Sequence, residues 1–133
     1  MRRFLAFTAL ALAFGLAACD STSSNSSWTG DAALVGTWKS ISSDISSSDS
    51  YYDTTTITLG SGGKLSYVTY EREVTSSSST LDTNSGTGTW SSSGTKLYVN
   101  SNGEKDSSSY TISGTKLTLI DLIYDDTEVF TRQ

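Results

Sequence analysis

The sequence predicts an all-β fold, an eight-stranded antiparallel up-and-down barrel that follows a signal peptide and a flexible tether. Three observations predict it. In short runs between Leu34 and Gln133 apolar residues stand two positions apart, the spacing of side chains that share one face of a strand. Turn-forming clusters cut the stretch into short pieces: Gly60-Ser61-Gly62-Gly63, Ser93-Gly94-Thr95, Asn102-Gly103 and Ser113-Gly114-Thr115. Polarity comes from Ser and Thr, with only 17% charged residues, and such short β-tolerant residues suit a sheet with one wet face. Strands joined in order by hairpins leave no exposed edge when they close on themselves.

Residues 1–18 form a separate unit. Arg2 and Arg3 precede an apolar run from Phe4 to Leu16, and small residues Ala17 and Ala18 follow. That is the pattern of a secretory signal peptide, too short for a spanning helix. The run ends in Leu16-Ala17-Ala18-Cys19, which resembles the lipobox of bacterial lipoproteins, and the single Cys of the chain stands at its lipidation position. The resemblance implies cleavage before Cys19, a diacylglyceryl thioether on its sulfur and acylation of its new amine. Several acyl chains at one site make a stable anchor in the lipid bilayer, where one would bind only marginally. Asp20 is associated with inner-membrane retention in enterobacteria, a rule that does not carry to all bacteria, so inner and outer membrane stay open.

Residues 19–33 read as a tether. Ser21 to Asp31 contains almost nothing apolar to bury, and its deletion is expected to cost the domain little. Trp28 is the odd member, with docking on the barrel, contact with the membrane interface and simple exposure all open.

The barrel domain spans 34–133. Its strands are expected at Val35 to Ser42, Thr54 to Leu59, Lys64 to Val74, Gly86 to Ser91, Lys96 to Asn100, Ser107 to Ile112, Lys116 to Leu122 and Thr127 to Arg132. Two long polar loops, through Ser50 and from Thr75 to Ser85, interrupt them. Alternation assigns Ile57 and Leu59, Leu65 and Tyr67, Leu97 and Val99, Tyr110 and Ile112, and Leu117 and Leu119 to the inner face. With Trp38, Trp90 and Phe130 they supply on the order of a dozen large inward groups, about what an eight-stranded barrel needs to fill itself.

Gly36-Thr37-Trp38 at the head of the first strand, the Gly-turned strands, Gly88-Thr89-Trp90 and the terminal Phe130-Thr131-Arg132 resemble the small bacterial lipocalin-like domains. The chain departs from full-length lipocalins in its shorter length and in having no helix after the barrel and no disulfide. Gly36, Trp38 and Arg132 are the expected closure residues. In a closed barrel the first and last strands are neighbours, and if Phe130 points inward so does Arg132. The resemblance implies that Arg132 lies across the Trp38 ring.

Composition removes several function classes. The formal net charge is -5, and loss of Arg2 and Arg3 with the signal peptide makes it more negative, which disfavours nucleic acid. With no His and one Cys, the usual nucleophile activators, zinc sets and internal disulfides are excluded. Glu71 and Glu73 share a strand face and form the sole carboxylate pair that could act as acid and base, yet no companion residue is visible. Asp121, Asp125 and Asp126 gather at one turn, where capping of the turn is a better account than calcium. No metal and no cofactor is expected.

Tyr51 and Tyr52 near a barrel mouth, and Tyr70 and Tyr98 on the face opposite the core, are candidate contacts for a ligand or partner; cross-strand pairing accounts for them equally well. The favoured function is a non-enzymatic, membrane-anchored envelope lipoprotein that binds a small apolar ligand or a protein partner. The alternative is a filled barrel that works through its loops, such as an inhibitor of a cell-wall enzyme, and the core arithmetic favours a filled interior.

Overall fold

The computed structural model describes residues 28–133. Each strand pairs antiparallel with the next and the last returns to the first, so the sheet is a closed barrel. The strands are β1 (Gly36–Ile45), β2 (Asp49–Leu59), β3 (Lys64–Thr75), β4 (Ser79–Ser93), β5 (Lys96–Ser101), β6 (Glu104–Ser113), β7 (Lys116–Asp121) and β8 (Thr127–Arg132). A short 3-10 turn, Ala32–Leu34, leads into β1.

Both long loops expected from the sequence are largely strand. β1 continues to Ile45 and β2 begins at Asp49, while β4 begins at Ser79 rather than Gly86. The runs lack apolar alternation because both faces are wet near the rim, so the pattern that marks a half-buried strand is absent there. Ladder partners supply what periodicity does not: Tyr70 faces Thr83, Glu71 faces Asp82 and Arg72 faces Leu81. The chain needs only Ser76 to Ser78 to reverse, and the Thr75 hydroxyl accepts from the Ser78 amide at 3.0 Å. At the other end of the parse, β7 stops at Asp121, so Leu122 lies in the following turn. Asp121 accepts from the Ile123 and Tyr124 amides at 2.6 and 3.0 Å, the self-capping that Asp brings to turns.

One end of the barrel is packed shut. Leu34, Trp38, Leu59, Trp90, Leu97, Leu117 and Phe130 are buried there. Every indole N–H finds a backbone carbonyl: Trp38 donates to Leu34 at 2.8 Å, Trp90 to Gly60 at 3.0 Å and Trp28 to Trp90 at 3.1 Å. A buried Trp donor left unpaired would forfeit its desolvation cost, so these bonds are what make the rings usable as packing.

The Trp28 contact answers the question left open by the sequence. Its ring stands edge-on to Trp90 with centroids 5.0 Å apart, over Gly63 at the closed end. Asp31 continues the attachment. Its carboxylate accepts from the Ala33 amide at 2.9 Å and from the Tyr110 hydroxyl at 2.9 Å, and its own amide donates to the Ser92 hydroxyl at 2.7 Å. Residues 28–31 therefore pack on the barrel, contrary to the expectation that deletion through Asp31 is nearly free. A single Trp in a Ser-rich run carries no periodicity, and its partner lies 62 positions away.

Candidate ligand-binding cavity

Cross-strand register sorts the interior into two zones. Near the closed end, Trp38 faces Ile57 and Leu117 faces Phe130. Arg132 faces Trp38 across the β1/β8 seam and its guanidinium carbon lies 4.1 Å from the ring centroid. The same guanidinium donates to the Val35 carbonyl at 2.8 Å and to the Ala33 carbonyl. Gly36 makes room for it: a Cβ there would stand 2.7 Å from the Arg132 Nη1, at a φ of +142° that side chains rarely adopt. Gly36, Trp38 and Arg132 thus meet within the plug of packed side chains that closes this end.

Above the plug is a cavity of about 120 Å³. Its lower wall is apolar, formed chiefly by Ile57, Leu65, Tyr67, Leu97, Val99, Leu119 and Phe130. The Tyr67 ring reaches across because its neighbour on β4 is Gly86, where a Cβ would stand 2.6 Å from the phenol oxygen. The interior is therefore filled only in its lower part. A dozen large inward side chains were expected to fill it, but the strands are longer than the apolar pattern implies. The strand ends at the mouth, among them the added residues Asp53 and Asp106, carry Thr, Ser and carboxylates inward.

The upper wall bears Asp53, Glu71, Asp106 and Glu128. Asp53 and Glu71 face each other on β2 and β3. Burial pushes the Asp53 carboxyl up, the nearby Glu71 charge adds to the effect, and the Thr55 hydroxyl opposes it. Burial likewise raises Glu128, with Ser40 opposing and Asp53 adding. Asp53 Oδ1 is shut off from solvent and has no hydrogen-bond partner.

The tyrosines singled out from the sequence do not line this cavity. Tyr51 is at the mouth and donates to Glu73 Oε1 at 2.7 Å, which raises its phenol pKa. Tyr52, Tyr70 and Tyr98 are exposed on β2, β3 and β5. The Glu71 and Glu73 pair is split in role, since Glu71 lines the cavity and Glu73 is held by Tyr51. Cys19 and the signal peptide lie outside the described residues. Sequence reading missed Asp53, Asp106 and Glu128, although each sits an even number of positions from an inward apolar residue: Ile57, Tyr110 and Phe130.

Comparison with protein families matches residues 34–119 to the lipocalin-like domain, from just before β1 into β7. The chain belongs to the lipocalin-like family. Members of this family are generally binding proteins rather than enzymes. No curated protein matches the chain. The geometry of this lipocalin-like barrel agrees in kind, because a one-ended apolar cavity with a plugged base can enclose a ligand. Among the described residues no group of three His, Cys, Asp or Glu side chains is placed to hold a metal ion.

Proposed function

We propose that the chain is a non-enzymatic, membrane-anchored envelope lipoprotein whose barrel binds a small, largely apolar ligand. The observation that carries the reading is the cavity of about 120 Å³ above a closed base, with apolar side chains on its lower wall. A dry cavity of about 150 Å³ can hold benzene, so the apolar part of the ligand is about one ring in size. The filled-barrel alternative assumes an interior without room for a ligand, and the cavity argues against it.

Anchoring rests on the lipobox-like Leu16-Ala17-Ala18-Cys19. Because Trp28 packs at the plugged end, a lipid on Cys19 would hold that end toward the bilayer and leave the mouth facing the aqueous phase. Replacing Cys19 with Ala is expected to abolish labelling by palmitate and to release the protein or leave an uncleaved precursor. Continued labelling and membrane fractionation of that variant would refute the anchor.

Ligand binding is tested by titrating the full chain with a neutral ring-sized probe, 2-phenylethanol, in a calorimeter. Saturable binding that is lost when Val99→Phe fills the cavity is expected. Absence of saturable binding to the unaltered chain, by this probe and by probes of the same ring that carry a charge, would overturn the reading.

A further inference from the structure

We propose that the cavity takes an organic cation, a small amine whose ring-sized apolar part rests on the lower wall while its ammonium group is held at the mouth by Asp53 with Glu71 and Glu128. This rests on the reading of the cavity as a binding site and adds the chemical class of its ligand.

Charge is sorted by strand parity. Asp53, Glu71, Asp106 and Glu128 all line the cavity, and no Lys or Arg does. By the same alternation Lys39, Lys64, Lys96, Lys105, Lys116 and Arg72 fall on the outer face of their strands, each next to an inward residue. Arg132 does point inward, but at the plug, where Trp38 and two carbonyls engage it. The mouth therefore holds carboxylates of four different strands with no cation among the described residues to balance them.

Asp53 gives this field a definite acceptor. Its Oδ1 is closed to solvent and unpartnered, although buried acceptors are nearly always satisfied because an unmade bond costs the desolvation of the group. A ligand N–H supplies the missing donor. The raised carboxyls of Asp53 and Glu128 have the same origin, burial together with neighbouring negative charge, and a bound cation relieves both.

Other ligand charges fit less well. An anionic lipid or fatty acid would bring its carboxylate against four others. A calcium ion takes 6 to 8 oxygens at about 2.3–2.6 Å, and among the described residues the carboxylates do not gather as a metal site. An ammonium group asks less of geometry, since its three donors can each find an oxygen on a different strand.

The test compares three ring-matched probes on the full chain at neutral pH and low salt: phenethylamine, 2-phenylethanol and 3-phenylpropionate. The amine is expected to bind about 10- to 100-fold tighter than the alcohol, the range that a charge-assisted hydrogen bond adds. The acid is expected to bind more weakly than either. In the Asp53→Asn chain the amine should fall to within a few-fold of the alcohol measured on the same variant. Equal affinities for amine and alcohol in the unaltered chain would overturn the cation inference and leave the cavity reading standing. Failure of all three to bind would end both. An amine preference that survives in Asp53→Asn and again in Glu128→Gln would overturn the assignment to these carboxylates. The comparison of probes on the unaltered chain decides the ligand class even if neither variant folds.

Discussion

Removing Arg132 probes the seam on which closure of the barrel depends. The β1/β8 ladder is the shortest, with Trp38 opposite Arg132 and Lys39 opposite Thr131. Side-chain contacts must therefore supply part of what hydrogen bonds supply elsewhere. Arg132→Ala loses a guanidinium 4.1 Å from the Trp38 centroid and its bonds to Val35 and Ala33 carbonyls. The stacked cation is worth about 0.5–2 kcal/mol. Charge-assisted bonds are worth about 1.5–3 kcal/mol each when dry, but Arg132 is only half-buried, so the lower end applies. The bond to Ala33 is exposed, so counting the stack and the part-buried bond to Val35 alone, the expected loss is about 2–3.5 kcal/mol, a large share of the roughly 5–15 kcal/mol that holds a domain folded.

A double-mutant cycle in urea isolates the stacked pair. Trp38→Leu removes the ring, while the acceptors of Arg132 are main-chain carbonyls that remain in both backgrounds. The coupling should then be about 0.5–2 kcal/mol. Additivity within about 0.3 kcal/mol would show that Arg132 acts only through its hydrogen bonds. A loss below about 0.5 kcal/mol for Arg132→Ala alone would mean that the side chain is solvated in solution, and the account of the plug would be wrong.

Two further outcomes follow from the same packing. Trp28→Ala loses an edge-on ring pair worth about 0.5–1.5 kcal/mol and a hydrogen bond worth about 1 kcal/mol, so the melting temperature should drop by roughly 10 °C; an unchanged transition would return Trp28 to the tether. Asp53→Asn should stabilise the ligand-free chain at neutral pH, by about 1 kcal/mol or less after allowance for screening at an open mouth. The sign comes from linkage: with its folded pKa raised, the native state holds the proton longer than the unfolded chain, so this group lowers stability as pH rises from the unfolded value of about 3.9 through the folded one. Glu71 of β3 and Glu128 of β8 face the same space, with Ser40 and Ser42 of β1 uncharged beside them, so the variant should flatten this part of the pH profile. A steeper profile would contradict the assignment.

The fold was legible wherever one face of a strand is apolar. Leu65 and Tyr67, Leu97 and Leu117 mark the inner face by period two, the glycine turns mark the reversals, and parity turns Arg132 inward, while its place across Trp38 comes from barrel closure and the lipocalin resemblance. The longest departures from the expected strands are at the rims of β1/β2 and β3/β4, where Ser, Thr and Asp point both ways. There a strand is specified by its neighbours, not by its own pattern. Trp28 failed for a related reason, since a docking contact between residues 62 apart leaves no local trace.

The cavity was hidden by an assumption about charge rather than by missing signal. In the sequence Glu71 reads with Glu73 as a carboxylate pair without a companion residue, although it shares its face with Leu65 and Tyr67, both buried. Carried one pair further, the alternation that places Tyr67 in the core places Glu71 above it, and the register brings Asp53 opposite. Extending β2 and β6 to take in Asp53 and Asp106 joins two more carboxylates to Glu71 and Glu128, and the filled apolar barrel becomes an apolar floor beneath a carboxylate mouth. Ordinary inside-outside reasoning would put those carboxylates in water and the lysines anywhere. In this chain Leu65, Tyr67 and Glu71 point inward while Lys64 points outward from the same strand, a segregation that burial of apolar surface does not require and that the proposed cationic ligand would use.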